Sequence, residues 1–328
     1  MPLIHRRRFA AGLAAAAAAI ALGPAHAAGA WPSKPITIVV NGGAGSLPDI
    51  FARPLGDRLS AALGQPVVID NRPGAGGMVA MQQVKNAAKD GHTLAVVTNA
   101  HMVWNPYVFP KLTYDPATDL VAVSPISVIP MALVVNPKLP AQTTAELFAL
   151  AKKAPGTLNC ASSGNGSPPH VLFEMLREQA GADIVHVPFK TGTDALTSVV
   201  AGDTQIYLAG TSLVEPMAKE GRLRVLAVSP KVTAPTFASA PTLQSQGFDG
   251  YESAVWLGLV ATAGTPPAVV QRLNDEVGKA LKDPAMRQAM LAHGALPYHA
   301  SPAAFAQRIA AERATWGPAI RRLGIQPN

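Results

Sequence analysis

Beyond residue 30 the chain alternates two hydrophobic patterns. Short, nearly unbroken apolar runs read as strands buried on both faces, and longer stretches with apolar residues three or four apart read as helices lying on them. The run Ile36-Thr37-Ile38-Val39-Val40 predicts a strand. Pro48 opens a helix to about residue 63. Proline suits that first turn, where its missing N–H would have no intrahelical partner anyway. Ile50, Phe51, Leu55, Leu59 and Ala62 form the helix's apolar stripe, and Gly64 stops it. Strands follow at 67–69 and 93–98, with a helix between them that ends near residue 88. A second series begins at 132–135. Thr143 and Glu146 have the spacing of a capping box for a helix ending near Pro155-Gly156. Strand 158–162 leads to a helix at 168–180, opened by Pro168-Pro169 and stopped by Gly181. Strands at 184–187, 205–209 and 223–228 alternate with helices at 193–201 and 212–220. The chain closes on a strand at 255–260 and helices at about 266–281, 284–292 and 302–323.

This alternation implies an α/β fold with a mostly parallel sheet covered on both faces. The second series is self-sufficient, whereas one strand plus three helices is not, so the C-terminal part should pack back on the first series. That gives one domain from residues 28–130 plus 254–328 and a second from 131–253. Two chain crossings then form a hinge, with a central ligand cleft between the domains.

The first residues change the picture of where the protein works. Arg6, Arg7 and Arg8 precede an apolar run from Phe9 to Leu22, and Ala25-His26-Ala27 supplies a small-x-small cleavage pattern. Charge, apolar run and cleavage site in that order make residues 1–27 a secretory signal peptide, cut after Ala27, which places the mature chain in the periplasm. Arg6-Arg7-Arg8-Phe9 fits a twin-arginine pattern as well as an ordinary positive leader, so the export route stays open. Losing the leader lowers the formal net charge from +7 to +4. No Lys/Arg block remains, which argues against nucleic acid, while a mild positive surplus would steer an anionic small molecule. The single cysteine, Cys160, cannot form an internal disulfide and lies in a strand-like run, where it reads as a small buried residue. No cysteine–histidine spacing suits zinc.

Ligands of such sheets lie beyond the carboxyl ends of strands. Two loops stand there. Gly42-Gly43-Ala44-Gly45-Ser46-Leu47 precedes the Pro48 helix, and Ser162-Ser163-Gly164-Asn165-Gly166-Ser167 precedes the Pro168-Pro169 helix. Glycines, hydroxyls and a helix start in each could clamp a carboxylate between the domains. Asp49 would repel a carboxylate beside it, so it either fixes the loop or meets a donor on the ligand. His170 reads as a cap or packing residue rather than a base. Thr98-Asn99-Ala100-His101 ends a strand where it should face the cleft, Trp104 could stack on a ligand or fill core, and Lys190 could face ligand or water.

Enzyme chemistry has less support. Gly43-x-Gly45 followed by Asp70 resembles a dinucleotide fingerprint, but Pro48 stands where the third glycine belongs. Gly164-Asn165-Gly166-Ser167-Pro168 lacks the final glycine of a serine-hydrolase elbow. A secreted hydrolase using the same cleft is the alternative reading.

Several segments, taken in order, are similar to the Bug-type solute receptors of tripartite tricarboxylate transporters. They are Trp31-Pro32-Ser33-Lys34-Pro35-Ile36, Asn71-Arg72-Pro73-Gly74-Ala75-Gly76-Gly77, Asp90-Gly91-His92-Thr93-Leu94, Tyr114-Asp115-Pro116, Ser163-Gly164-Asn165-Gly166-Ser167, His186-Val187-Pro188-Phe189-Lys190 and Ala263-Gly264-Thr265-Pro266. The resemblance implies a periplasmic-binding-protein-like (type II) fold that closes on a small carboxylate, with no catalytic residue, cofactor or metal. It implies a monomer that meets membrane transporter subunits or a sensor kinase. It assigns ligand contacts to Gly45, Ser46, Asp49, Asn99, Ser163, Asn165, Gly166, Ser167 and Gly192. Two positions depart from the family. Asn41-Gly42 replaces a Pro-aromatic pair, and Gly210 replaces an acidic or amide residue, which together leave room or remove a polar contact and suggest a ligand larger or less polar than a simple amino acid.

Overall fold

The computed structural model describes residues 31–232, 235–248 and 254–325, so the predicted leader and its cleavage site lie outside the described residues. The strands are β1 (Ile36–Val40), β2 (Val67–Asn71), β3 (Thr93–Thr98), β4 (Leu120–Val135), β5 (Asn159–Ser162), β6 (Val185–Pro188), β7 (Ile206–Gly210), β8 (Arg224–Ser229), β9 (Ala254–Thr262) and β10 (Leu296–Pro297). The α-helices are α1 (Leu47–Leu63), α2 (Met78–Lys85), α3 (Asn105–Val108), α4 (Thr144–Lys153), α5 (Pro168–Ala180), α6 (Gly192–Ala201), α7 (Thr211–Lys219), α8 (Pro267–Ala280), α9 (Pro284–Ala292) and α10 (Pro302–Leu323).

All strands join one sheet in the order β2-β1-β3-β9-β4-β7-β5-β6, with β8 and β10 also paired to β4. β2, β1 and β3 run parallel, as do β7, β5 and β6. β9 returns antiparallel between β3 and β4. β4 joins the two halves of the sheet. Its residues 120–130 pair with β9, and Ser127 and Val128 pair with β10, while residues 131–135 pair with β7 and β8.

The sequence pattern predicted only the last few residues of β4. The strand starts at Leu120 and carries Pro125 and Pro130, residues that cannot donate to a ladder and normally argue against an interior strand. The pairing absorbs them by shifting register between Ala122 and Ser124 and again between Pro125 and Ser127. A second element absent from the prediction is the π-helical turn Ala100–Trp104, which runs into α3. The predicted cap of α4 forms, with Thr143 Oγ1 accepting the Glu146 N–H at 3.1 Å, but Glu146 accepts from Gln142 rather than from Thr143.

Strand alternation divides the core. Ile36, Ile38, Val40, Leu94 and Val96 pack with Phe51, Leu55 and Leu59 of α1 and with Val270, Leu273 and Val277 of α8. Val39, Ala95 and Val97 face the opposite side, in a cluster that includes Phe305, Ile309, Trp316 and Ile320 of α10. That cluster continues to Leu133 and Val135 of β4, Cys160 of β5 and Val171 to Phe173 of α5. Cys160 is a buried free cysteine, and burial pushes its thiol pKa up. A third cluster gathers Ala195 and Val199 of α6, Tyr207 and Ala209 of β7, and Val214 of α7.

Candidate functional site

The loops after β1 and β5 have the same backbone design. In the first, the Ser46 N–H donates to the Gly43 carbonyl at 3.1 Å, and in the second the Ser167 N–H donates to the Gly164 carbonyl at 3.2 Å. Gly45 and Gly166 take φ of +80° and +71°, a left-handed conformation that glycine adopts at little cost. Ser46 (φ −68°, ψ 156°) and Ser167 (φ −68°, ψ 157°) then act as N-cap residues of α1 and α5. Their carbonyls accept the first helical N–H groups, from Ile50 at 2.9 Å and Val171 at 3.0 Å. The left-handed glycine in each loop donates its N–H to the side chain four residues on, Asp49 Oδ2 at 2.9 Å in one and His170 Nδ1 at 3.0 Å in the other.

An N-cap serine ordinarily bonds a first-turn N–H. Neither serine does, and both Oγ atoms are buried with no hydrogen-bond partner among the described residues. A buried hydroxyl left unsatisfied costs about 1–3 kcal/mol, and here two stand in matched positions at the starts of α1 and α5.

The side chains behind each loop are fully engaged. Asp49 is 2% exposed. Its Oδ1 accepts from Arg53 Nη2 at 2.8 Å and Asn71 Nδ2 at 2.9 Å, and its Oδ2 accepts from Arg53 Nε at 3.0 Å as well as from Gly45. Burial alone would raise the Asp49 pKa, but hydrogen bonds from Arg53, Gly45 and Asn71 outweigh it and hold the carboxyl below its ordinary value. Asn71 also donates to the Gly42 carbonyl at 2.8 Å. Loop fixing therefore accounts for every contact Asp49 makes. Behind the second loop, His170 stacks on His186 with ring centroids 3.7 Å apart and planes 8° from parallel. His186 Nε2 lies 2.6 Å from Ser162 Oγ, which accepts the Gly164 N–H at 3.1 Å. Burial lowers both histidines to about 4, so each is neutral near pH 7 and His170 can accept from Gly166.

The remaining predicted residues sit around these loops. Ser163, Asn165 and Gly166 are half-buried in the second loop, and Gly192 starts α6 with its carbonyl 3.5 Å from the Tyr207 hydroxyl. Asn99, which follows β3, is buried and donates to the Ala254 carbonyl at 2.9 Å, with its Oδ1 lacking a partner. Trp104 belongs to the core, and Lys190 is exposed. Position 210 has room, since a Cβ on Gly210 would meet only Ile129 at 3.6 Å. Asn41 differs from its sequence reading. It does not merely vacate space, because its carboxamide lies against buried His101, 2.9 Å from Nε2, and leaves one buried amide atom without a partner. Sequence reasoning also missed His186, Arg53 and Asn71 as supports of the loops, although Asn71 and His186 stood in quoted motifs.

A cavity of about 680 Å³ lies elsewhere, lined by Val128, Ala254, Tyr298, Arg308 and Glu312 among others. Its charges are already paired, with Glu312 accepting from Arg308 at 2.7 Å and from the Trp256 indole at 2.8 Å. Among the described residues no cluster of three or more His, Cys, Asp or Glu could hold a metal ion, and no helix is long and apolar enough to cross a membrane.

The profile of the tripartite tricarboxylate transporter family receptor matches residues 51–325. The chain belongs to that receptor family. It is 32% identical over 297 residues to Protein BugT of Bordetella pertussis, an alignment covering 90% of this chain and 91% of that one. R. palustris Rpa4515 with adipate is 32% identical with a TM-score of 0.75, covering 91% of this chain and 100% of that one. MatC (Rpa3494) from Rhodopseudomonas palustris with bound malate is 29% identical with a TM-score of 0.73, covering 88% and 100%. The receptor is thus a Bug-type solute-binding protein with the fold of periplasmic binding proteins.

Proposed function

We propose that this receptor works in the periplasm, enclosing the carboxylate of a small solute between the loop after β1 and the loop after β5 and delivering it to a membrane transporter or a sensor partner. The observation that carries the reading is the pair of matched loops, each presenting an N-cap serine whose buried hydroxyl has no protein partner. A carboxylate has two oxygens, and each can accept one of these hydroxyls. The amides of the two helix starts add to this, but Pro48, Pro168 and Pro169 have no N–H to offer, so the hydroxyls carry more of the pairing than at an ordinary helix N-terminus.

In this reading residues 28–130 with 254–328 form one lobe and residues 131–253 the other, with β4 as one crossing and the segment leading into β9 as the second. The separate partners of the two halves of β4 support that division. The solute leaves unchanged. His170 Nδ1 is taken by the Gly166 N–H and so is not free to act as a base for Ser167, and Ser162, whose hydroxyl meets His186, is fully buried. The relatives solved with adipate and malate hold dicarboxylates, which supports the same class here.

Calorimetric titration of the mature chain with a panel of mono- and dicarboxylates tests this. At least one should bind, and Ser46→Ala and Ser167→Ala should each weaken it about tenfold, the cost of one lost buried hydrogen bond. Magnetic resonance of the incubated ligand should show no product. Absence of binding across the panel, or turnover, would remove the proposal.

A further inference from the structure

The cavity of about 680 Å³ beside α10 lies against the point where β4 changes partners. Three of its lining residues meet there. Ala254 begins β9 and pairs with Pro130, the last β4 residue on that ladder. Pro230 follows Ser229 of β8, which pairs with Met131, the next residue of β4. Val128 stands two residues before Pro130 and pairs with Leu296 of β10, which lines the cavity too. With Pro297 these residues make walls that carry no charge. None of the lining residues belongs to the loop after β1 or the loop after β5.

The polar side chains come from α10 and from the end of β10. Arg308 and Glu312 stand one turn apart on α10, and Tyr298 follows β10. The Glu312 carboxylate is held from two directions. The Trp256 indole N–H lies 3.0 Å from Oε1 and 2.8 Å from Oε2, and Arg308 Nε donates to Oε1 at 2.7 Å. That last bond uses Nε, so the outer edge of the guanidinium, Nη1 and Nη2, is not spent on it. The guanidinium carbon sits 5.3 Å from the centre of the Tyr298 ring. A carboxylate offers about four lone-pair sites, so Glu312 retains accepting capacity beyond these bonds. The cavity thus presents a donor and an acceptor side by side, and their two charges cancel.

We propose that this cavity is a second binding site, one that takes an uncharged molecule carrying a carboxamide on an apolar body. The amide oxygen accepts from Arg308 and the amide N–H donates to Glu312, while the body covers Val128, Ala254 and Leu296. A carboxylate in the same place is drawn to Arg308 but repelled by Glu312, and it has no proton to give. An ammonium is repelled by Arg308 and cannot accept. The volume lies within the roughly 300–1,000 Å³ of small-molecule sites. A molecule seated there touches β4, β9 and the end of β8 together, and so bridges the point where β4 passes from one set of partners to the other.

The probes are benzamide, benzoate and benzylamine, matched in size and different in charge. Each is titrated into the isotope-labelled mature chain, and magnetic resonance follows the Trp256 indole N–H, assigned with Trp256→Phe. Benzamide should shift that resonance saturably with a dissociation constant of about 1 mM, the scale of a well-seated fragment. Benzoate and benzylamine should bind at least about tenfold more weakly, because each meets one like charge. Ala311→Trp, at an exposed lining position of α10, should fill the cavity and remove the benzamide shift while the rest of the spectrum stays in place. Glu312→Gln keeps an acceptor for Trp256 and Arg308 but loses the charge, so it should narrow the gap between benzoate and benzamide. No saturable shift with benzamide, or a shift that survives Ala311→Trp, would overturn the site. Equal binding of the three probes, or a gap unchanged in Glu312→Gln, would overturn the choice of an uncharged ligand.

Discussion

Ser46, the N-cap of α1, and Asp49, in its first turn, lie three positions apart, yet they are in opposite chemical situations. Asp49 is saturated by Gly45, Arg53 and Asn71, whereas the Ser46 hydroxyl has no partner. The first should act on affinity only through loop shape. Asp49→Ala takes away the acceptor of the Gly45 N–H and of one Asn71 amide proton, while Asn71 keeps its bond to the Gly42 carbonyl and Arg53, half-exposed, can turn to water. Loss of about 2 kcal/mol of stability is expected, on the scale of one or two unsatisfied groups, readable as a lower urea midpoint with unchanged slope. Gly45 gives a cleaner probe of shape. A Cβ there would meet nothing within 4 Å, so Gly45→Ala pays only for its φ of +80°, about 1–2 kcal/mol. Gly45→Asn should lose less, because asparagine tolerates the left-handed region. If alanine and asparagine weaken carboxylate binding equally, the loop's shape is not set by this residue.

At the scale of elements, the second loop rests on two neutral rings, and so its stability should follow pH. Burial first, then His186 and Arg177, brings His170 to about 4; burial, then Arg177, does the same to His186, and burial alone to His101. Each folded-state value lies below the unfolded one of about 6.5, so the unfolded chain takes up protons first as pH falls. The contribution is complete above about pH 6.5 and is lost as the pH falls towards about 4. Asp90 adds a later stage. Burial would raise its pKa, but hydrogen bonds from His92 and Lys34 prevail and hold it at about 2, so its share is lost below the ordinary carboxylate value as pH approaches 2. Urea midpoints measured from pH 7 to pH 2 should therefore decline in two steps, and His186→Asn should reduce the first slope by about one proton. An unchanged slope would mean His186 is already charged in the folded state. Of these elements, the strand–loop–helix units around Ser46 and Ser167 are legible in the sequence because glycine, serine and proline act locally. β4 is not, since Pro125 and Pro130 look like breaks until a partner strand shifts register around them. Nor is the Asn41–His101 contact, which joins residues 60 apart in the chain and depends on a π-helical turn with no apolar signature of its own.

For the whole molecule, the sheet and the core limit what a hinge can do. One cluster of buried side chains runs from Val39 and Val97, past Phe305 and Ile309 of α10, to Leu133, Cys160 and Phe173. α10 also reaches α5 directly, where Arg322 is paired with Glu178. The two lobes proposed above share a strand and a core, so they could not separate without exposing apolar surface, and interiors packed this closely resist continuous deformation. Closure on a ligand should then be a small bend centred on the irregular part of β4, and not a wide swing. The same continuity governs unfolding. Although the chain is long enough for two cores, calorimetry of the mature protein should show a single transition with calorimetric and van't Hoff enthalpies in agreement. Adding a saturating carboxylate should raise that one transition as a unit, because binding to the folded form alone stabilises everything coupled to it. Small-angle scattering should record only a slight contraction. Two resolved transitions, with ligand shifting one of them, would mean that α10 and β4 transmit less between the lobes than their packing implies.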